Sequence, residues 1–372
     1  MNKKLIALAV AAAIAPVAAM ADTGNVKIYG QMNASVDSVK SGYAGGDQRV
    51  TQVNDNTSRL GFTGTEDLGN GLTAVWQIES QISVDGATPG AGFQPTSATG
   101  SGTTVGARNT FVGLTGGFGT AVLGRHDTPY KLATRNLDVF ADNIADNRSI
   151  MGLSGNNTTF DGRQPDVMAY ISPTVGGFHG AIGYVAGAEN ALANGQTKGD
   201  AWSVVGVYAN GPLFGSLAYE KHNVGGANTG TLGLGAASGL QEHAAKLGLG
   251  YSMDAFKVGL AYEKIGGSLS DAMGTGHHNL YLSGAYTMGS NALKLAYTKA
   301  GDMDTSDTGA KQWSLGVDHN MSKRTTVYAL YSKVTNDSGA GYGLTGSTNG
   351  GVAAGHLNSD PSVLSAGIKH SF

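Results

Sequence analysis

The chain ends in Leu364-Ser-Ala-Gly-Ile-Lys-His-Ser-Phe372. Counting back, one face carries His370, Ile368, Ala366 and Leu364, and the other Ser371, Lys369, Gly367 and Ser365. A period of two belongs to an extended strand with one apolar and one wet face. A last strand that stops at a bare aromatic has no partner unless a sheet closes onto it, and closure is what removes an open edge. The pattern predicts a barrel whose apolar face looks outward into lipid. Lipid cannot hydrogen-bond the backbone, so a sheet in a bilayer must close on itself. Its outward positions are then apolar and its inward ones polar around water.

The other terminus sets the compartment. Lys3 and Lys4 form a basic segment, residues 5–14 an apolar one, and Ala19-Met20-Ala21 a small-x-small cleavage site before Asp22. This reads as a secretory signal peptide over residues 1–21, leaving a single domain over 22–372. Its removal takes away two lysines and no acids, and the net charge goes from -3 to -5. That balance gives no reason to expect a nucleic-acid partner. The chain has no cysteine, so an exported protein of this kind relies on a large core or on closed hydrogen bonding. No apolar run after residue 21 approaches the roughly 20 residues of a spanning helix. Spanning is therefore left to strands, and 59 glycines against 8 prolines suit many turns.

Alternating runs recur throughout. In the first, 25–34, Val26, Ile28 and Met32 share one face and Lys27, Tyr29, Gln31 and Asn33 the other. Arg59 to Glu66 follows, then the turn Gly69-Asn70-Gly71, whose residues suit positive φ, then 72–80. Further strands are expected near 108–115, 119–126, 166–173, 178–187, 201–210, 213–224, 242–253, 256–265, 277–289, 291–300, 311–321, 325–334 and 360–372, sixteen in all. Tight turns alternate with long polar loops at 41–58, 86–106, 127–165, 188–200, 225–241, 266–276, 301–310 and 335–359. This is the layout of an all-β, sixteen-stranded antiparallel transmembrane barrel with short periplasmic turns, long external loops and both termini periplasmic. Tyr29, Phe62, Trp76, Phe111, Phe178, Trp202, Tyr208, Phe214, Tyr251, Phe256, Tyr286 and Phe372 fall near strand ends, where rings suit interfacial girdles. Eight strands would fill with side chains, whereas sixteen leave an aqueous channel.

Segment 127–165 is the candidate constriction, because a loop this long in a compact barrel is usually functional. It holds a helical-looking stretch, 130–139, and presents Asp138, Asp142 and Asp146. Folded inward, these carboxylates would face basic residues on the wall. Arg59 and Arg108 are placed on the polar parity of their strands, opposite Leu60/Phe62 and Asn109/Phe111. A lipid-facing arginine at mid-bilayer costs about 2–4 kcal/mol. Opposed charges across a wet gap set up a transverse field that sorts solutes by charge. Arg125 shares parity with Leu123, which leaves its direction open and a subunit contact among the options.

These features resemble the general-diffusion porins of Gram-negative bacteria, most nearly the beta-proteobacterial type. The resemblance covers the whole chain. It rests on Val26-Lys-Ile-Tyr-Gly30, Ser58-Arg-Leu-Gly-Phe-Thr-Gly-Thr-Glu-Asp-Leu-Gly-Asn-Gly-Leu72, Ala74-Val-Trp-Gln-Ile-Glu79, Arg108-Asn-Thr-Phe-Val-Gly-Leu114, Gly119-Thr-Ala-Val-Leu-Gly-Arg125 and the terminal Phe372. It implies a homotrimer of sixteen-stranded barrels in outer-membrane lipid, with the third external loop folded into each pore. It implies a C-terminal strand, ending at Phe372, that the barrel-insertion machinery reads. It also implies wall arginines facing loop acids, with Arg59 and Arg108 at the wall positions. The expected activity is a water-filled channel for passive diffusion of ions and small hydrophilic solutes, with no cofactor or metal.

The rivals are a sugar- or organic-acid-selective porin and an outer-membrane barrel enzyme. An enzyme would need a paired constellation, and the nine histidines are scattered. Gly113-Leu-Thr-Gly-Gly-Phe-Gly119 lacks the Gly-Lys-Ser/Thr of a phosphate loop. Asp302-Met-Asp-Thr-Ser-Asp307 lacks the glycine and terminal Glu of a calcium loop.

Overall fold

A computed structural model describes residues 25–43, 49–84, 105–154, 159–187, 199–224, 239–346, 351–352 and 356–372. The proposed signal peptide lies outside the described residues. The strand segments are β1 (Val26–Lys40), β2 (Arg49–Asp55), β3 (Arg59–Gly69), β4 (Leu72–Gln81), β5 (Thr110–Gly116), β6 (Gly119–Asp127), β7 (Arg163–Ile171), β8 (Phe178–Val185) and β9 (Asp200–Asn210). They continue with β10 (Leu213–Asn223), β11 (Gln241–Met253), β12 (Phe256–Gly266), β13 (His277–Met288), β14 (Asn291–Ala300), β15 (Ala310–Asn320), β16 (Thr325–Asn336) and β17 (Ser362–Ser371).

Every pairing is antiparallel, and the sheet closes where β1 meets β17, from Gln31 opposite Ser371 to Lys40 opposite Ser362. On its other side β1 pairs with β3 through residues 26–31 and with β2 through residues 34–40. β2 and β3 are thus one stave, broken at Asn56-Thr57-Ser58, where Thr57 takes φ +60°. Seventeen segments make sixteen staves. Among the described residues no helix is long and apolar enough to cross a membrane.

The parity read from the two ends of the chain holds. Val26, Ile28, Leu364 and Ile368 are exposed on the outside, while Gln31, Asn33 and Ser365 are buried inside. Gly69, Asn70 and Gly71 adopt φ of +82°, +52° and +75°, so this tight turn needs the residues it has. Phe372 ends the last strand with its backbone N–H donating to Gly30 O and its O accepting from Gly30 N, each at 3.0 Å. Its ring fills the space a Cβ on Gly30 would take.

Several expectations are corrected. β1 runs on to Lys40, and residues 49–55 of the expected 41–58 loop are strand. The valines of β2 fall on opposite faces, Val53 beside Val36 and Val50 beside Val39, so alternation gives no sign of it. Residues 163–165, expected in a loop, begin β7, and Ser268–Met273 is a short helix. Three of the girdle aromatics face inward. Tyr29 donates to Glu79, Phe214 packs against a buried cluster inside the barrel, and Phe111 lines the lumen while Val112 and Leu114 point out. Arg125 pairs with Thr110 on the outer side, next to Leu123, and donates from Nε to Ala107 O at 2.9 Å.

The buried core is not between sheets but between the wall and the described residues of the long loop, 128–154 and 159–162. Tyr130, Ala133 and Phe160 pack on Ala181, Val205, Val207, Ala218, Ala244 and Ile265. Phe140, Ile144, Ile150 and Met151 pack on Ala261, Tyr281, Ala296, Leu330 and Val363. Small inward residues on these strands make the room.

Candidate pore constriction

The loop leaves β6 at a polar knot. Asp127 takes Lys131 Nζ at 2.7 Å and Arg163 Nη2 at 3.1 Å, and Arg163 Nε donates to Asn109 at 2.7 Å. Thr128 then caps a helical turn, Pro129–Leu132, its Oγ1 accepting from Lys131 N, with Pro129 at the first helical position. A second short turn covers Arg135–Leu137 and a third Asn147–Ser149. The continuous helix suggested over 130–139 is therefore broken into single turns.

Wall side chains bind the loop's own backbone along its length. Ser203 Oγ accepts from Tyr130 N, Ser216 Oγ donates to Ala133 O, Lys257 Nζ to Asn136 O, Ser283 Oγ to Leu137 O and Gln312 Nε2 to Ala145 O. These groups come from β9 through β15, so the loop lies against that wall. Gly250 and Gly259 let it lie close, since a Cβ at either would press on Leu137.

One buried cluster holds the loop's back. Glu263 of β12 accepts from Tyr130 OH at 2.6 Å, from Gly152 N at 2.8 Å and from Asn279 at 2.8 Å. Lys246 of β11 sits 3.3 Å from Glu263, 2.6 Å from Asp161 and 4.2 Å over the Tyr130 ring. Burial and the Glu263 carboxylate push the Tyr130 hydroxyl well above its ordinary pKa.

At the tip, Asp142 reaches across to the opposite wall. Its Oδ2 meets Arg59 Nη1 at 3.1 Å, and its carbonyl accepts from Asn33 at 2.8 Å. Arg135 of the loop completes the pair from behind, at 3.0 Å from Asp142 Oδ1. Burial would raise the Asp142 pKa, but Arg59 and then Arg135 outweigh it and hold the carboxyl well below the usual range. Beyond this contact the lumen stays open, as a cavity of about 590 Å³ lined by Tyr29, Arg59, Glu79, Arg108, Arg135 and Asp142 among others.

The residues singled out in the sequence do not all meet. Arg59 and Asp142 do. Arg108 precedes β5 in an irregular stretch and binds Glu79 of β4 at 2.6 Å, not a loop acid. Glu79 also lies 4.0 Å from Arg59 and accepts from Tyr29 OH at 3.0 Å. Asp146 turns back to Arg135 at 2.6 Å and Arg148 at 3.3 Å. Asp138 accepts from Tyr281 OH at 2.7 Å and from the backbone N–H of Phe140 and Asn147. Burial, and after it Asp146, pushes Asp138 up to about 6. Positive and negative groups thus alternate along one row, Arg108, Glu79, Arg59, Asp142, Arg135 and Asp146. Glu79 was readable from the inward parity it shares with Gln77. Arg135, Lys246 and Glu263 had no local signal.

A closed barrel with an apolar exterior, a polar interior and a loop that narrows the lumen defines an outer-membrane diffusion channel. The chain matches the model of the Gram-negative porin family over residues 7–359. It belongs to that family and is an outer-membrane porin. It is 32% identical to outer membrane porin protein 32 of Delftia acidovorans over 100% of both chains. It is 31% identical to the major outer membrane protein P.IB of Neisseria sicca, over 96% of this chain and 99% of that one. Among solved structures, the anion-selective porin from Comamonas acidovorans superposes with a TM-score of 0.71 at 23% identity, covering 93% of this chain and 99% of that one.

Proposed function

We propose that the gap between the loop tip and the wall of β1 to β5 is the narrowest part of the channel. Arg59 and Arg108 on the wall and Asp142 on the loop set its field, with Asp138 and Asp146 holding Arg135 in place behind. The observation that carries this is the Asp142–Arg59 contact, which brings loop and wall together directly beside an open, charged cavity. Such a site passes ions and small hydrophilic solutes by diffusion and discriminates by charge without excluding either sign. Reversal potentials in a salt gradient across a planar bilayer test it. Arg59→Ala and Arg108→Ala each shift permeation toward cations, and no shift in either variant ends the assignment.

The same reading gives a channel without catalytic activity, assembled as a homotrimer in outer-membrane lipid. A single domain over 22–372 follows removal of residues 1–21, and Phe372 serves as the signal for the insertion machinery. Trimers should migrate as a heat-modifiable oligomer on a mild gel. Phe372→Ala should lower the yield of inserted protein in cells while leaving refolding in detergent intact. Equal insertion would remove the role given to Phe372.

A further inference from the structure

The loop tip has two sides, and they face different chemistry. Asp142 lines the cavity that it shares with Arg59 and Arg108. Asp138, Val139, Ala141 and Asn143 line a second recess, of about 290 Å³, against β12 to β17 and the start of β1. Three lysines enter it, Lys257 from β12, Lys294 from β14 and Lys369 from β17, and no arginine lines it. Lys257 is the second residue of its strand, Lys294 the fourth of its own, and Lys369 the third from the end of the last strand. All three lie at the short-turn end, so the recess is on the periplasmic side of the tip.

Small wall residues make the room. Ala285 lies opposite Lys257 on one side and Lys294 on the other, which sets those two backbones about 10 Å apart. The Phe140 ring fills the space that a Cβ on Gly316 would take, and the Tyr328 ring that of a Cβ on Gly367. Lys369 lies between Thr326 and Asn33 in the register.

Two acids share the recess, and the groups around them already engage both. Asp318 holds Lys294, with each carboxylate oxygen 2.9 Å from Nζ. Asp138 accepts from Tyr281 OH and from the backbone N–H of Phe140 and Asn147. Lys257 donates one hydrogen bond to Asn136 O and has two more to give. Lys369 forms no side-chain ion pair among the described residues. The valences left over are therefore N–H donors on positive groups. The planar arginine fork matches a carboxylate through two parallel hydrogen bonds, whereas an ammonium acts as a compact point charge. Ammonium groups converging from three strands suit a small anion with oxygens on every side. We propose that this recess is a phosphate subsite, which holds inorganic phosphate or the phosphate group of a small ester as the solute clears the tip.

The subsite lies apart from the constriction and fails separately from it. Chloride current through single channels is measured in potassium chloride with added inorganic phosphate, glycerol phosphate or acetate at equal ionic strength. Both phosphates should reduce the current saturably, and acetate should not. Block by inorganic phosphate alone would still place the free ion in the recess. Lys369→Gln should raise the half-blocking concentration about fivefold, and Lys257→Gln/Lys369→Gln roughly twentyfold, while Lys369→Arg keeps the block. Heat-modifiable migration verifies folding. Lys257 also holds the loop backbone, so Lys369→Gln carries the test if the double variant does not fold. Arg59→Ala should leave the phosphate block in place whether or not it shifts ion selectivity. Acetate as effective as phosphate, an unchanged half-blocking concentration in Lys369→Gln, or loss of the block in Arg59→Ala would each overturn the proposal.

Discussion

The loop is held at its back and at its tip by the same kinds of groups in opposite surroundings. At the back, Lys246 and Glu263 are sealed from water, with Asp161 and Tyr130 filling their remaining valences. At the tip, the Arg59 and Asp142 side chains each keep about a quarter of their surface exposed, 22% and 26%. Buried charge is tolerated only when fully paired, and removing one partner leaves the other stranded. A pair that keeps contact with water contributes little to stability. The back therefore fixes where the loop lies, and the tip is left to shape the field that solutes meet.

The sharpest way to break this division is Glu263→Ala. It leaves Lys246 with Asp161 as its one carboxylate partner and removes the acceptor for Tyr130, Gly152 and Asn279. A loss of about 3–5 kcal/mol is expected, read as a lower unfolding temperature together with larger and noisier single-channel conductance as the loop loosens. A single variant as stable and as quiet as the parent would mean that the back does not hold the loop.

The same contrast explains what could be read from the sequence. Lipid enforces strict alternation, so the staves from β3 to β17 were legible to within a few residues. β2 escaped because its outward side carries Arg49 and Thr51 as well as Val53, and nothing apolar marks a face. Charges on the loop obey no period. Asp138, Asp142 and Asp146 are spaced by four, yet only Asp142 meets an arginine of the wall, because Arg135 draws Asp146 and Tyr281 of β13 draws Asp138. The back cluster joins residues 130, 161, 246 and 263, which meet only once the barrel has closed. Parity also misled at Phe111. An irregular stretch before β5 resets the count, so Arg108 and Phe111 both reach the lumen although an unbroken strand would put them on opposite faces.

At the tip, Asp142→Asn should do the reverse of the wall arginine variants and shift permeation toward anions, since it removes the negative charge shared by Arg59 and Arg135. The stability change should stay within about 1 kcal/mol, as for other pairs in contact with water. Reversal potentials and thermal unfolding on the same preparation check both halves. A large drop in stability would place the tip with the back and erase the distinction.

The smallest expected effect is a response to pH. Burial and Asp146 hold the Asp138 carboxyl up to about 6, so it is largely ionised at pH 7.5 and largely protonated at pH 5. As pH falls through 6 the loop loses one negative charge, and permeation should move modestly toward anions. A carboxyl raised in the folded state stabilises the fold when protonated. Its contribution is therefore full below the ordinary carboxylate value and is lost as pH rises through about 6. The loop should accordingly be held somewhat more tightly at pH 5 than at pH 7.5. Asp138→Asn, neutral at both, should show the pH 5 selectivity throughout and no step between them. A step of unchanged size in that variant would assign the titration to another group and leave Asp138 with its hydrogen-bonding role to Tyr281, Phe140 and Asn147.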